Sequence, residues 1–140
     1  MKIFFIFYFS FLFFSSCASK PVVVPPYATA EKLIQLAQEE SDNDRYDNAL
    51  EYYRTVIDMY PFRIDSICAA EYEIAFIHYK QKKYGQAKEE MNQLLARYEN
   101  IEAETYPAQY KILAGIVLKK IEEKENKDRL RRKVLDESKS

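Results

Sequence analysis

From Tyr46 to Pro61 the chain reads YDNALEYYRTVIDMYP, and from Tyr84 it reads YGQAKEEMNQLLARYE. In the first stretch Tyr46, Ala49, Tyr53, Val56 and Ile57 recur at offsets of three and four, which gathers them onto one face of a helix. Tyr84, Ala87, Met91, Leu94 and Leu95 repeat that arrangement 38 residues further on. A lone amphipathic helix pair has nothing to bury such a face against, whereas like units stacked side by side bury it continuously. Self-similarity at this distance therefore constrains the chain to a helical-repeat array. The implied fold is all-α, an α-solenoid of antiparallel helix pairs with about five helices. An array of this kind points to a binding scaffold and offers no argument for catalysis.

The intervening segments follow the same register. From Thr29 onward, Leu33, Leu36, Ala37 and Glu40 share a face, and Ile74, Ala75 and His78 repeat it in a third helix expected over Ile67 to Lys82. A fourth helix is expected over Tyr84 to Tyr98. Tyr110, Leu113, Ala114 and Val117 repeat the first-helix face in a fifth, opened by Tyr106-Pro107 with proline in its first turn. Pro61 ends the second helix, and FRIDS and Asn100 to Glu104 read as connectors. Ser41-Asp42-Asn43-Asp44 interrupts the first pattern. Asp44 there is predicted to cap the second helix, with Asp47 in its first turn beside unsatisfied amides. The acidic cluster is not a calcium loop, because Tyr46 occupies a ligand position and neither the turn Gly nor the closing Glu is in place. The fifth helix runs through Ile121 into residues 122–140 and is expected to cap the array. From Lys119 onward the chain carries nine basic and six acidic residues, the mark of a solvated helix, with a local basic cluster at Arg129, Arg131, Arg132 and Lys133.

The first 27 residues differ in kind. Lys2 precedes IFFIFYFSFLFF, too short a run to span about 30 Å of hydrocarbon and of the length of a signal-peptide core. Phe14-Ser15-Ser16-Cys17 follows and resembles the lipobox of bacterial lipoproteins. That resemblance implies that residues 1–16 are a lipoprotein signal peptide and that Cys17 is acylated, with enough lipid for stable anchoring at about 0.8 kcal/mol per buried methylene. Residues 17–27, the lipidated cysteine and the proline-rich ASKPVVVPPY, read as a stiff extended tether holding the domain roughly 30 Å from the lipid. Ala18 and Ser19, in place of an Asp after the cysteine, favour the outer membrane, with the domain (residues 28–121) facing the periplasm.

Few features speak for chemistry. With Cys17 assigned to lipid, Cys68 is left as a lone thiol near the start of an apolar helix, expected to be inert packing. The single histidine, His78, sits at a helix-packing position without a nucleophile at a recognisable spacing. No phosphate loop, dinucleotide fingerprint or zinc pattern occurs. The expectation is a non-enzyme with no cofactor and no metal. A net charge of −1 provides no basic field for nucleic acid, so none is expected as a partner.

Taken together, the small residues at Ala37, Ala49, Ala75, Ala87 and Ala114, the bulky Tyr53 and Met91, and Pro61 resemble tetratricopeptide repeats over Thr29 to Ile121. The small residues have a physical reason, since helix axes approach to about 8–9 Å only where no large side chain intervenes. Asp44 and Lys82 stand where that family usually has Gly. The stretch TVIDMYPFRIDSICAAEYEIAFIHYKQKKYGQA, with units ending in Tyr-Pro and a lipidated cysteine upstream, is similar to the BamD family of outer-membrane lipoproteins. The resemblance implies a non-enzymatic adaptor of the machinery that inserts β-barrels into the outer membrane, with assembly subunits or unfolded outer-membrane proteins as partners. Two alternatives stay open: another cell-envelope tetratricopeptide lipoprotein serving a transporter or peptidoglycan machinery, and a lipoprotein that binds a small ligand in an apolar cavity. In such repeats the first helix of each pair lines a concave groove, which implies Ile34 and Gln38, then Tyr72, Phe76, Tyr79 and Lys80, then Lys111 as its lining. Tyr72, Phe76 and Tyr79 form one aromatic stripe, and with Lys80 and Lys111 nearby the groove would accept an extended peptide bearing aromatic residues and a terminal carboxylate. A short array closed on itself would instead make the stripe core.

Overall fold

A computed structural model describes residues 21–99 and 105–138. The leader, Cys17 and the connector at 100–104 lie outside the described residues. Five helices follow one another: α1 (Ala30–Asp42), α2 (Tyr46–Met59), α3 (Ile64–Lys80), α4 (Tyr84–Arg97) and α5 (Ala108–Glu137). Each packs on the next, α1 also touches α3, and α3 touches α5. The fold is therefore all-α, a tetratricopeptide-like stack of antiparallel hairpins, with α1, α3 and α5 forming one row.

The packing follows from the 38-residue register. α2 buries Ala49, Tyr53 and Val56, and α4 buries Ala87, Met91 and Leu94 at the equivalent positions. Ala37, Ala75 and Ala114 are fully buried where helices meet. Leu33, Ala37, Ala49, Tyr53 and Val56 form a first core cluster, which Ala70 and Ile77 of α3 join. Cys68, Tyr72 and Ala75 of the same helix belong to a second cluster with Met91, Leu94, Val117 and Ile121. Burial on both sides explains why α3 is apolar nearly all round while its neighbours are amphipathic.

Two local expectations change. Asp44 does not cap α2: the α2 N-cap is Arg45, without a side-chain bond. Asp44 instead ends α1 in the left-handed conformation, φ 57°, and its own N–H donates to Ser41 O at 3.1 Å while Arg45 N–H donates to Glu40 O at 2.9 Å. This is the paired bonding of a Schellman motif, in which the residue after the helix must take positive φ. The α3–α4 turn repeats it, with Lys82 at φ 62°, Lys82 N–H on Tyr79 O and Lys83 N–H on His78 O, both at 2.9 Å. α3 also begins at Ile64, because the turn after Pro61 closes by Arg63 N–H donating to Tyr60 O at 3.0 Å and leaves no longer connector.

The proline-rich segment is not a free spacer from residue 21 on. Val22 packs on the first cluster, Tyr52 Oη donates to Val23 O at 3.1 Å, and Tyr60 Oη donates to Ala28 O. Ala28 N–H donates to Pro25 O at 3.1 Å, closing a turn with Tyr27 at φ 61°. Val22 to Ala28 thus belongs to the domain and lies along α2. At the other end α5 is one helix of 30 residues, and beyond Ile121 it has no buried residue. Its outer surface exposes Ile112, Leu113 and Ile116, so it does not present the polar face of a terminal cap.

Candidate concave binding face

The row of α1, α3 and α5 carries its aromatic side chains along α3. Tyr72 and Phe76 stack with ring centroids 5.8 Å apart and 11° between planes, and Phe76 and Tyr79 continue at 5.9 Å and 19°. Helical spacing of i, i+4, i+7 puts the three rings in one ladder. Tyr110 of α5 reaches Tyr72 at 5.9 Å, and Tyr84 closes on Tyr79 at 5.8 Å. Tyr72 itself is buried and joins the second core cluster, whereas Phe76, Tyr79 and Tyr110 are half-buried against it. The ladder is thus anchored in the core at one end and open along its edges. Ile34 is half-buried on α1 and Gln38 is exposed.

The charges differ from those the resemblance implied. Lys80 Nζ lies 4.8 Å from the Tyr46 ring centroid and 5.7 Å from that of Phe76, and donates to Ser41 Oγ at 3.0 Å. It ties the α1 end of the first hairpin to α3 and sits over the ladder as a held cation. Lys111 does not join the groove. Its Nζ lies 6.0 Å from the centroid of Tyr98 at the end of α4, and the α5 residue that meets the ladder is its neighbour Tyr110. A one-residue step on a helix turns a side chain by about 100°, which separates the two. The pair of lysines that would receive a carboxylate is therefore not formed.

In its place the face holds Glu73, one turn before Phe76 and two before Lys80. Its carboxyl is half-buried and has no hydrogen bond or ion pair among the described residues. Burial pushes it above the ordinary carboxylate range; Lys80 pulls it back, and Asp42 of α1 adds to the rise. Burial, and after it the Glu73 charge, also pushes the Tyr53 and Tyr72 phenols up. The face thus offers aromatic edges flanking a carboxylate that is partly stripped of water and has no committed partner. The signal was present in the sequence, since Glu73 is three residues before Phe76 and on the same side of α3.

The remaining candidates are structural. His78 is buried, with Nδ1 2.7 Å from Glu90 Oε2 and Nε2 3.4 Å from Gln86 Nε2, joining α3 to α4. Cys68 is buried, and burial pushes its thiol up, which leaves little thiolate for reaction. Among the described residues no group of three or more His, Cys, Asp or Glu could hold a metal, and no helix is long and apolar enough to cross a membrane. The cleft of about 430 Å³ between α3 and α4 is lined by Glu71, Glu90 and Arg97, and Arg97 already pairs with Glu71 at 2.5 Å.

Fold and face together define a helical-hairpin stack that presents an aromatic surface with the half-buried Glu73 beside it. The chain is similar to an uncharacterized protein of Treponema pallidum (strain Nichols), 36% identical over 103 residues, which are 71% of this chain and 41% of that protein. The matched stretch therefore spans less than half of that relative's length. No protein-family model matches the chain, and no solved structure matches it.

Proposed function

We propose that the protein is a lipid-anchored, periplasm-facing adaptor that grips an extended protein segment across the face of α1, α3 and α5. The observation that carries the reading is the Tyr72–Phe76–Tyr79 ladder with the uncommitted Glu73 carboxylate beside it. Aromatic edges accept alternate side chains of an extended segment, and a partly desolvated carboxylate favours a lysine, an arginine or a free N–H donor next to them. The lipobox-like Phe14–Cys17 supports a lipid anchor, Ala18 and Ser19 after it support the outer membrane, and the BamD-like stretch supports a role beside β-barrel assembly. Segments of unfolded β-barrel strands, rich in alternating aromatics, match the chemistry of the face.

The test is binding of fluorescent peptides cut from outer-membrane β-strands, with and without a lysine among their aromatics. Phe76→Ala is expected to weaken the lysine-bearing peptide by about tenfold or more, as removal of a central aromatic anchor does. Equal affinity for the two forms of the chain, with the helical signal intact, rules the face out. Affinity purification from envelope membranes then identifies the partner: assembly subunits support the reading, and transporter or cell-wall proteins replace it.

A further inference from the structure

The surface of α5 opposite the core carries a second apolar stripe. Ile112, Ile116, Leu130 and Val134 are 62%, 47%, 61% and 65% exposed. At 100° per residue they fall within about 40° of one another around the helix axis, on the side away from the buried Ala114, Val117 and Ile121. Between the two apolar ends the same face holds Lys120, Glu123 and Lys127, none of them in an ion pair among the described residues. Four large apolar side chains in line on one exposed helix face, over a stretch that overhangs the domain, call for a cover.

We infer that the cover is α5 of a second copy, running antiparallel. In a parallel two-fold pair each residue meets its own counterpart, so Glu123 opposes Glu123, Lys127 opposes Lys127 and Lys120 opposes Lys120. An antiparallel pair escapes this. With Ile116 of one copy against Val134 of the other, the same register sets Glu123 against Lys127 and lays the Lys120 stem along Leu130. The two-fold axis repeats each of these contacts. Opposite charges meet at the centre, Ile116 packs on Val134 at both ends with Ile112 beside it at the helix end, and the two domains stay on the outer sides of the pair. The pairing is independent of the aromatic ladder, which lies along α3.

The full chain, carrying Cys17→Ser and held in detergent, serves for the test because Cys68 is buried. Chains bearing Ile116→Cys and chains bearing Val134→Cys should form a disulfide when mixed. The Ile116→Cys chain alone should not, since its own counterpart would lie about 27 Å away along the pair. Glu123→Lys should weaken self-association about tenfold or more, measured by sedimentation, and adding Lys127→Glu to that chain should restore it. These positions are exposed, so unchanged circular dichroism shows that the fold is kept. A monomer at every concentration, a disulfide from the Ile116→Cys chain alone, or a charge reversal that the second reversal does not rescue would overturn the antiparallel pair.

Discussion

Asp44 and Lys82 occupy equivalent turns and both hold left-handed φ, while the two glycines, Gly85 and Gly115, stand inside helices. An L side chain in this conformation costs about 1–2 kcal/mol, less for Asp, whose short polar group tolerates it. Lys82→Gly is therefore expected to raise stability by about 1 kcal/mol and Asp44→Gly by less, read as shifts in urea midpoint at unchanged slope. A Lys82→Gly chain no more stable than the parent would mean that Lys82 makes up its strain elsewhere. Glu73 strains the domain in another way. Its folded pKa is raised by burial, so folding favours the protonated acid. The stability this group permits is complete below its unfolded value of 4.5 and is lost as pH rises through the higher folded value. Glu73→Gln should thus be more stable than the parent at neutral pH, with the gap closing toward pH 4, while its affinity for lysine-bearing peptides falls. An equal gap at both pH values would assign the gain to something other than the buried charge.

The two hairpins share more than their alanines. Glu40 Oε2 accepts from Asn48 Nδ2 at 2.9 Å across α1 and α2, and 38 residues later His78 stands 3.4 Å from Gln86 across α3 and α4. Arg45 reinforces the first of these polar clamps through Glu40 at 2.6 Å, and Glu90 reinforces the second through His78 at 2.7 Å. At the next register position Val117 has no polar group, so the α5 unit lacks the clamp. Helix number, order and core faces were readable from sequence because apolar spacing and burial are the same physical fact. Sequence alone assigns Asp44 to α2 because an acid just before a helix looks the same whether it caps that helix or ends the one before. Only the tight turn, which leaves one residue to reverse the chain, decides between them. The docked Val22–Ala28 segment was beyond local reading. Its prolines describe stiffness truly, but the hydroxyls that hold it belong to Tyr52 and Tyr60, 29 and 32 residues from their acceptors. At the candidate face the spacing of Tyr72, Phe76 and Tyr79 predicts one aromatic stripe, and the three rings stack in line. The charge beside them is not legible in the same way, since choosing between Tyr110 and Lys111 needs the rotation of α5 to within one residue.

On the scale of the molecule, α3 decides how the parts depend on one another. It gives Ala70 and Ile77 to the cluster of the first hairpin and Cys68, Tyr72 and Ala75 to that of the second, so neither cluster is complete without it. A linear array of weakly coupled units would open from one end, each unit at its own free energy. A helix that belongs to both cores couples them instead. Docking of Val22 and Ala28 extends the coupled unit toward the N-terminus, leaving only Ala18 to Lys20 between Cys17 and Pro21. If Cys17 carries lipid, that is at most about 14 Å of chain, which keeps the first hairpin close to the membrane surface. The coupling is testable by hydrogen exchange. Ile77→Ala should cost about 2–5 kcal/mol, because Ile77 is fully buried in the first cluster. Although Ile77 belongs to that cluster alone, the slowest amides of α4 should lose protection along with those of α2, and by the same factor. If α2 amides accelerate while α4 amides keep their parent rates, the hairpins open separately, and a segment gripped on α3 would feel the state of one of them only.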